Sequence, residues 1–291
     1  MKKNEGVFYS IASSAGFGLM PIFAKLALNY GGNSITILML RFMFAWLLIL
    51  PILIYKKKSL ALSKKQLLAV GLIGGVAYSS TTLILFLAYN YMSVGLATTI
   101  HFIYPISVTL IAIIFFKERI YKEKVLAIII STIGIILLIY NGDIKLSFLG
   151  VFYSAFSGVL YSIYISSIEH SEAKNVDSFV LTFYISLISS FILLFSGLAT
   201  NSISLNIDFR CYAAAFLIAL ISTVFAITFF QKAIAYIGSS NASILSTFEP
   251  LVSLIFGVIV FREVLSFKII LGCILILSSI IILTKAYVRQ A

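Results

Sequence analysis

Ten runs of mostly apolar residues follow one another along this chain, separated by short connections, and that spacing admits few folds. They cover roughly residues 7–29, 35–55, 67–90, 94–116, 123–140, 148–168, 178–199, 211–236, 240–261 and 266–287. At about 1.5 Å of rise per residue, each run as a helix matches a hydrocarbon layer roughly 30 Å thick. Within that layer no water meets the backbone, so every run must satisfy its own N–H and C=O groups, which a helix does. The composition agrees: 61% of the 291 residues are hydrophobic, only 11% are charged, and the mean hydropathy is +1.12. Water-soluble domains of this length lie far from those values. The expected fold class is an all-α integral membrane protein of ten transmembrane helices.

A net charge of +11 raises the question of nucleic acid, but the basic residues sit in short connections and form no basic face with interleaved aromatics. No nucleic-acid partner is expected; the lipid bilayer is. Lys56, Lys57, Lys58, Lys64 and Lys65 crowd the connection 56–65, and Lys117, Arg119, Lys122 and Lys124 the connection 117–124. The positive-inside rule makes both cytoplasmic. Both termini then fall on that side, with Lys2, Lys3, Lys285 and Arg289, while the opposite connections hold Lys145, Arg210, Arg262 and Lys268. The expected location is the inner or plasma membrane, multi-pass, with cytoplasmic N- and C-termini. The start imitates a signal peptide, but its apolar run continues to Leu28 without a convincing cleavage site and reads as the first span. Cys211 and Cys273 lie alone in apolar runs and form neither a disulfide framework nor a metal site.

The fourth and ninth runs match at an offset of 145 residues, which pairs Ala88 with Ala233, Tyr91 with Tyr236, Ala97 with Ala242, Pro105 with Pro250 and Phe116 with Phe261. The same offset lays Lys117 over Arg262 and Glu118 over Glu263. A proline followed at fixed spacing by a basic–acidic pair is harder to obtain by chance than aligned leucines. The chain therefore divides into two five-helix repeats, residues 1–145 and 146–291. Five is odd, so the second repeat enters the membrane from the opposite side, giving inverted repeats around a central cavity, with a substrate site near the midplane.

Glu249 is the acidic residue that this arrangement leaves deep in the bilayer, where a charge costs from about 3 kcal/mol upward unless it meets a partner or a wet cavity. Pro250 beside it removes a backbone donor and presses on the preceding turn, so a helix break is expected there, and likewise at Pro105. Glu249 is a candidate proton carrier, a counter-ion for a substrate amine, or a structural partner closing the bundle. Ser246 shares its helical face, three residues earlier, and the matching positions in the first repeat are His101 and Tyr104. Tyr104 stands where the second repeat has its carboxylate, so the halves do not carry equivalent acids.

Arg41 lies about 9 Å into the second run and suits a carboxylate through its planar fork, with bracing of helix ends as the alternative. Lys25 and Lys232 read as cations reaching for the interface. Among the consecutive polar residues 78–82, Tyr78 and Thr82 share a face and are the pair expected to line a cavity; Tyr161 and Tyr164 form a second such pair, with aromatic packing the alternative. His101 reads equally as a packing element or a proton relay. The glycines Gly16, Gly18, Gly71, Gly74 and Gly75 mark close helix contacts.

Two five-span halves, each with a Pro-centred span followed by a basic–Glu pair, resemble the EamA family of the drug/metabolite transporter superfamily. The stretches AGFGLMPIFAK (residues 15–25) and LRF (residues 40–42) are similar to that family's first and second spans. The resemblance covers nearly the whole chain and implies a ten-helix bundle that transports small metabolites, often exporting amino acids or related compounds. A zwitterionic substrate would set its carboxylate on Arg41 and its amine toward Glu249. Two rival readings remain at this stage: uptake of a quaternary ammonium compound such as choline in a cage of Tyr78, Tyr104 and Tyr161, and a non-transporting intramembrane enzyme or scaffold. The enzyme lacks an H-E-x-x-H motif, an acidic metal cluster or a Ser/His/Asp set. No cofactor is expected, and a homodimer is a possible assembly.

Overall fold

The computed structural model describes residues 2–92, 94–118, 120–139, 147–261 and 267–289. Among them every regular element is a helix. The elements are α1 (Lys2–Gly18), α2 (Met20–Asn29), α3 (Ser34–Tyr55), α4 (Lys64–Val70), α5 (Ser79–Ala88), α6 (Val94–His101), α7 (Tyr104–Phe116) and α8 (Lys122–Ile139). They continue with α9 (Phe148–His170), α10 (Ser178–Ala199), α11 (Phe209–Leu217), α12 (Ala226–Ile237), α13 (Ser239–Leu245), α14 (Glu249–Phe261) and α15 (Phe267–Arg289). Several join end to end into longer rods. Seven rods among the described residues are long and apolar enough to cross a membrane: Lys3–Asn29, Ser34–Tyr55, Lys64–Ala88, Phe148–His170, Ser178–Ala199, Phe209–Ile237 and Ser239–Val260. Tyr104–Phe116 and Ile270–Ala286 are shorter apolar helices.

Polar residues at the ends of the apolar runs set where the helices begin. Asn33, Ser63, Ser147, Asp177 and Asp208 each turn a side-chain oxygen onto an N–H of the first helical turn. Asn33 also donates from its amide to the Ser202 carbonyl at 2.7 Å, tying two connections at one end of the bundle. At the other end Lys58 pairs with Asp177 at 2.8 Å, and the Glu169 carboxylate accepts the Ser239 N–H at 2.7 Å. Lys124, fully buried, meets Glu118 at that end. The residues 262–266, with Arg262 and Glu263, and also Arg119 and Lys145 lie outside the described residues.

Helix pairing is symmetric under exchange of the first and second halves of the chain. The pair α5 with α9 is matched by α12 with α1, and α7 with α9 by α14 with α1, while α3 packs on α10 and α8 on α15. Exposed leucines, isoleucines and phenylalanines cover the outward faces, among them Ile114, Phe115, Phe195 and Ile259. Buried hydroxyls line the inward faces: Ser13 donates to the Ala226 carbonyl at 2.7 Å and Ser222 to the Gly16 carbonyl at 2.8 Å. Hydroxyls inside and hydrocarbon outside is the pattern of helices packed in lipid.

Two structural features separate from a plain helix bundle. The Lys64–Ala88 and Phe209–Ile237 rods each contain a π-helical stretch, Gly71–Tyr78 and Ile218–Phe225. Ser79 Oγ donates to the Gly74 carbonyl and Thr223 Oγ1 to the Ile218 carbonyl, each five residues back, meeting carbonyls within the wide turn. The other feature is a pair of helix breaks in the turns just before Pro105 and Pro250, the turns on which the proline rings press. The breaks precede them: after His101 in the α6–α7 rod, and over a short 3₁₀ turn Ser246–Phe248 in the α13–α14 rod. Pro105 and Pro250 occupy the first turn of α7 and α14, where a missing N–H costs nothing. A proline ring clashes with the carbonyl four residues back, and those positions are His101 and Ser246, where the helices open.

The glycines also differ from one another. A side chain added at Gly74 would sit 2.9 Å from the Ile185 backbone, and at Gly75 2.9 Å from Ile188, whereas at Gly71 it would meet nothing within 4 Å. Gly71 is therefore not a packing glycine, contrary to the sequence expectation. Accordingly, Gly74→Val is expected to lower the thermal unfolding midpoint in detergent by several degrees, an overpacking cost of about 1–3 kcal/mol, while Gly71→Ala leaves it unchanged or higher. Equal losses at both positions would contradict this packing.

Candidate functional site

The two helix breaks and the first π-helical stretch meet around one cavity. Phe17 and Met20 border it from the α1–α2 rod, Arg41 from α3, Tyr78, Thr81, Thr82, Leu85 and Phe86 from the third rod, Thr98, His101 and Tyr104 from the α6–α7 rod, Tyr161 from α9 and Glu249 from α14. Its volume is about 40 Å³. A water needs roughly 10–15 Å³ by this measure, so the cavity holds a few waters and is contracted relative to any metabolite. Two glycines allow the broken rods to approach. A side chain at Gly18 would come within 2.7 Å of the Glu249 carbonyl, and one at Gly158 within 2.6 Å of the His101 carbonyl.

Arg41 dominates the site. It is completely buried, and its fork is held at three points: Nε donates to Thr223 Oγ1 at 2.7 Å, one terminal nitrogen to the Tyr78 hydroxyl at 3.1 Å, and the other to the Met20 sulfur at 3.2 Å. Its carbon lies 5.0 Å from the centre of the Phe42 ring. A guanidinium has five N–H donors, so these contacts position the group without exhausting it, and a thioether is a weak acceptor. Among the described residues the carboxylates in ion pairs are Asp177 and Glu118, neither of them with Arg41. A cation buried with neutral partners alone carries a desolvation cost of several kcal/mol that an incoming anion would offset.

Glu249 borders the same cavity, half-buried, at the first position of α14. It forms no direct ion pair with Arg41, so the two opposite charges face a shared space. His101 adds an acceptor. Ser157 gives its hydroxyl hydrogen to the Ser154 carbonyl at 2.7 Å, so the 2.8 Å contact between Ser157 Oγ and His101 Nδ1 has the imidazole as donor. The proton then sits on Nδ1, and Nε2 keeps its lone pair. Aromatic rings close the floor: Tyr104 meets Tyr161 edge-on at 4.9 Å, His101 lies 5.3 Å from Tyr161, and Tyr78 lies 4.7 Å from Tyr164.

Of the residues singled out in the sequence, Glu249, Arg41, His101, Tyr104, Tyr78, Thr82 and Tyr161 border the cavity together. Ser246 does not. Its hydroxyl donates to the Ala242 carbonyl at 2.9 Å, and it stands behind Tyr104 as that residue's neighbour. Thr82 points in but spends its proton on the Ser79 carbonyl at 3.0 Å, which leaves its oxygen available as an acceptor. Tyr164 sits behind the floor, and Lys232 rests over the Tyr9, Phe179 and Phe229 rings away from the cavity. Thr223, Met20, Phe17, Thr98 and Ser157 were not singled out. For Thr223 a signal existed: the offset of 145 that pairs the prolines also carries Tyr78 onto Thr223, so the two oxygen partners of Arg41 are equivalent positions of the two halves.

The fold and its residues have known counterparts. A solved structure described only as "Crystal structure of protein" superposes with a TM-score of 0.86, covering 99% of this chain and 99% of that chain at 13% sequence identity, a likeness of fold. Human solute carrier family 35 member G1 is 25% identical over 195 residues, covering 62% of this chain and 51% of that protein. The mouse protein of the same name is 30% identical over 134 residues, covering 46% of this chain and 36% of its own. The chain thus spans about half or less of the length of these curated relatives. The profile of the EamA-like transporter family matches twice, over residues 4–140 and 145–285, so nearly the whole sequence is accounted for. With both halves matched, the chain belongs to the EamA-like transporter family.

Proposed function

We propose that this membrane transporter is a secondary-active carrier of a small zwitterionic metabolite, an amino acid or a related compound, exported by alternating access. The observation that carries this reading is Arg41: a fully buried guanidinium with spare donors, bordering a cavity whose other charged group is an acid. A substrate carboxylate would complete the fork of Arg41, and its ammonium would lie toward Glu249, with His101 Nε2 and the Thr82 oxygen as further acceptors. Phe17, Met20, Leu85 and Phe86 leave an apolar wall for the side chain.

In this reading the helices form ten spans, as two oppositely inserted units meeting near residue 145, in an inner or plasma membrane with both termini cytoplasmic. The symmetric helix pairing and the paired π-helical stretches support it. A second reading, a quaternary ammonium carrier, is favoured by the rings of Tyr78, Tyr104 and Tyr161, with centroids 4.9 to 6.3 Å apart where they touch. Arg41 weighs against it, because a permanent cation in so small a space would be repelled.

Arg41→Ala is expected to weaken amino-acid binding by at least tenfold, about 1.4 kcal/mol, with Arg41→Lys only partly restoring it because an ammonium cannot form two parallel bonds. Thermal stabilisation of the purified protein by a panel of amino acids and by choline measures this. Choline binding that survives Arg41→Ala, with no amino-acid binding to the unaltered protein, would favour the second reading. For Glu249, whose depth suits a proton carrier, proteoliposome flux should respond to an imposed pH gradient, and Glu249→Gln should retain exchange while losing that response. Normal flux with unchanged pH dependence in the variant would remove Glu249 from coupling.

A further inference from the structure

Beneath the tyrosine floor lies a second group of buried polar side chains that the cavity does not include. Thr182 on α10 donates to the Ser178 carbonyl at 2.8 Å and approaches Gln231 Oε1 on α12 at 3.2 Å, and Thr228 lies 3.1 Å from Thr182. The Gln231 amide stands beside the Tyr164 hydroxyl. Among the described residues Ser186 Oγ has no hydrogen-bond partner, and Gln231 Nε2 and the Tyr164 hydroxyl, though neighbours, do not close to ordinary hydrogen-bond distance, while all three residues are at least 98% buried, with relative exposures of 2% (Gln231), 1% (Tyr164) and 0% (Ser186). Unmet polar groups of this kind cost about 1–3 kcal/mol each.

Their position in the repeat supplies a reason. The offset of 145 carries Arg41 onto Ser186 and Phe86 onto Gln231, so two residues of the second group are the repeat counterparts of two residues bordering the cavity. The helices bearing Arg41 and Ser186, α3 and α10, pack on each other. The Tyr78 ring, whose hydroxyl Arg41 holds, touches the Tyr164 ring at 4.7 Å, and Tyr164 lies against Gln231, so a chain of neighbouring side chains joins the two regions through the floor. In an inverted repeat, the access route of one state occupies the place that the counterparts occupy in the other.

We infer that Thr182, Ser186, Thr228, Gln231 and the Tyr164 hydroxyl form a second substrate-contacting site, closed in this state, that lines the route to the membrane face carrying Lys58 and Asp177. The Tyr78, Tyr161 and Tyr164 rings are the barrier between this site and the Arg41 cavity. The unmet hydroxyls and amide take the hydrogen bonds of a small polar substrate and its waters when the barrier parts. This inference rests on the chain transporting by alternating access, but not on the substrate being an amino acid.

Cysteine accessibility tests it. With Cys211 and Cys273 replaced by alanine, Ser186→Cys and Gln231→Cys variants in sealed vesicles of known orientation are treated with a small, membrane-impermeant cationic methanethiosulfonate from either side. Both positions should label from the Lys58 and Asp177 side only, and Ile192→Cys, on the exposed face of α10, should stay unlabelled. Absence of labelling from both sides, in variants that still catalyse exchange, would overturn the proposal, as would labelling from the opposite side. A second readout is Gln231→Leu: flux should fall more than tenfold, while stabilisation by ligands at the Arg41 cavity persists and the unfolding midpoint holds or rises. Unchanged flux with a lower midpoint would make the cluster a packing element and overturn the proposal. Loss of all ligand response in the unaltered protein, with labelling intact, would instead contradict the amino-acid reading alone.

Discussion

A guanidinium buried without an anion is the constraint around which the structure is organised. Arg41 is placed by Thr223 from one half of the chain and by Tyr78 and Met20 from the other, so its position depends on how the halves meet. Hydroxyls and a sulfur orient the fork without neutralising it. Its direct partners are all neutral, and the nearest opposite charge is Glu249 on the same cavity. Glu249 borders the same cavity without a direct ion pair to Arg41, so the site carries both signs of charge.

The backbone features serve that arrangement. Opening the α6–α7 and α13–α14 rods just before their prolines sets His101 and Tyr104, and Glu249, at the cavity rather than along a continuous helix. Gly158 and Gly18 let neighbouring helices press against the carbonyls exposed there. The π-helical stretches do comparable work for Tyr78 and Thr223: a wide turn rotates the following residues relative to an α-helix, and the two oxygen partners of Arg41 lie within such turns.

Much of this was legible in the sequence because bilayer physics leaves strong traces. Run length and hydropathy report helices, and Glu249 and Arg41 stand out as charges within apolar runs. The paired prolines reported the repeat. Where inference from sequence failed, the cause was local geometry. Three-residue spacing put Ser246 on the face of Glu249, but its hydroxyl bonds back to the Ala242 carbonyl four residues earlier, the common fate of a helical serine, which spacing alone does not reveal. Gly71 looked like Gly74 and Gly75 because a glycine's neighbour cannot be read from its own helix. Thr223 is one of many serines and threonines, most of which bond only to their own helix, and only its repeat equivalence to Tyr78 distinguishes it in the sequence.

The central claim, that Arg41 awaits a carboxylate, is tested most directly on the ligand side. Binding of a panel of amino acids and of their α-amides to the purified protein, followed by calorimetry, compares ligands that differ only in that anionic end. The account predicts that any amino acid that binds loses at least tenfold in affinity, about 1.4 kcal/mol, when its carboxylate becomes an amide. Amides binding as tightly as the parent amino acids would contradict it.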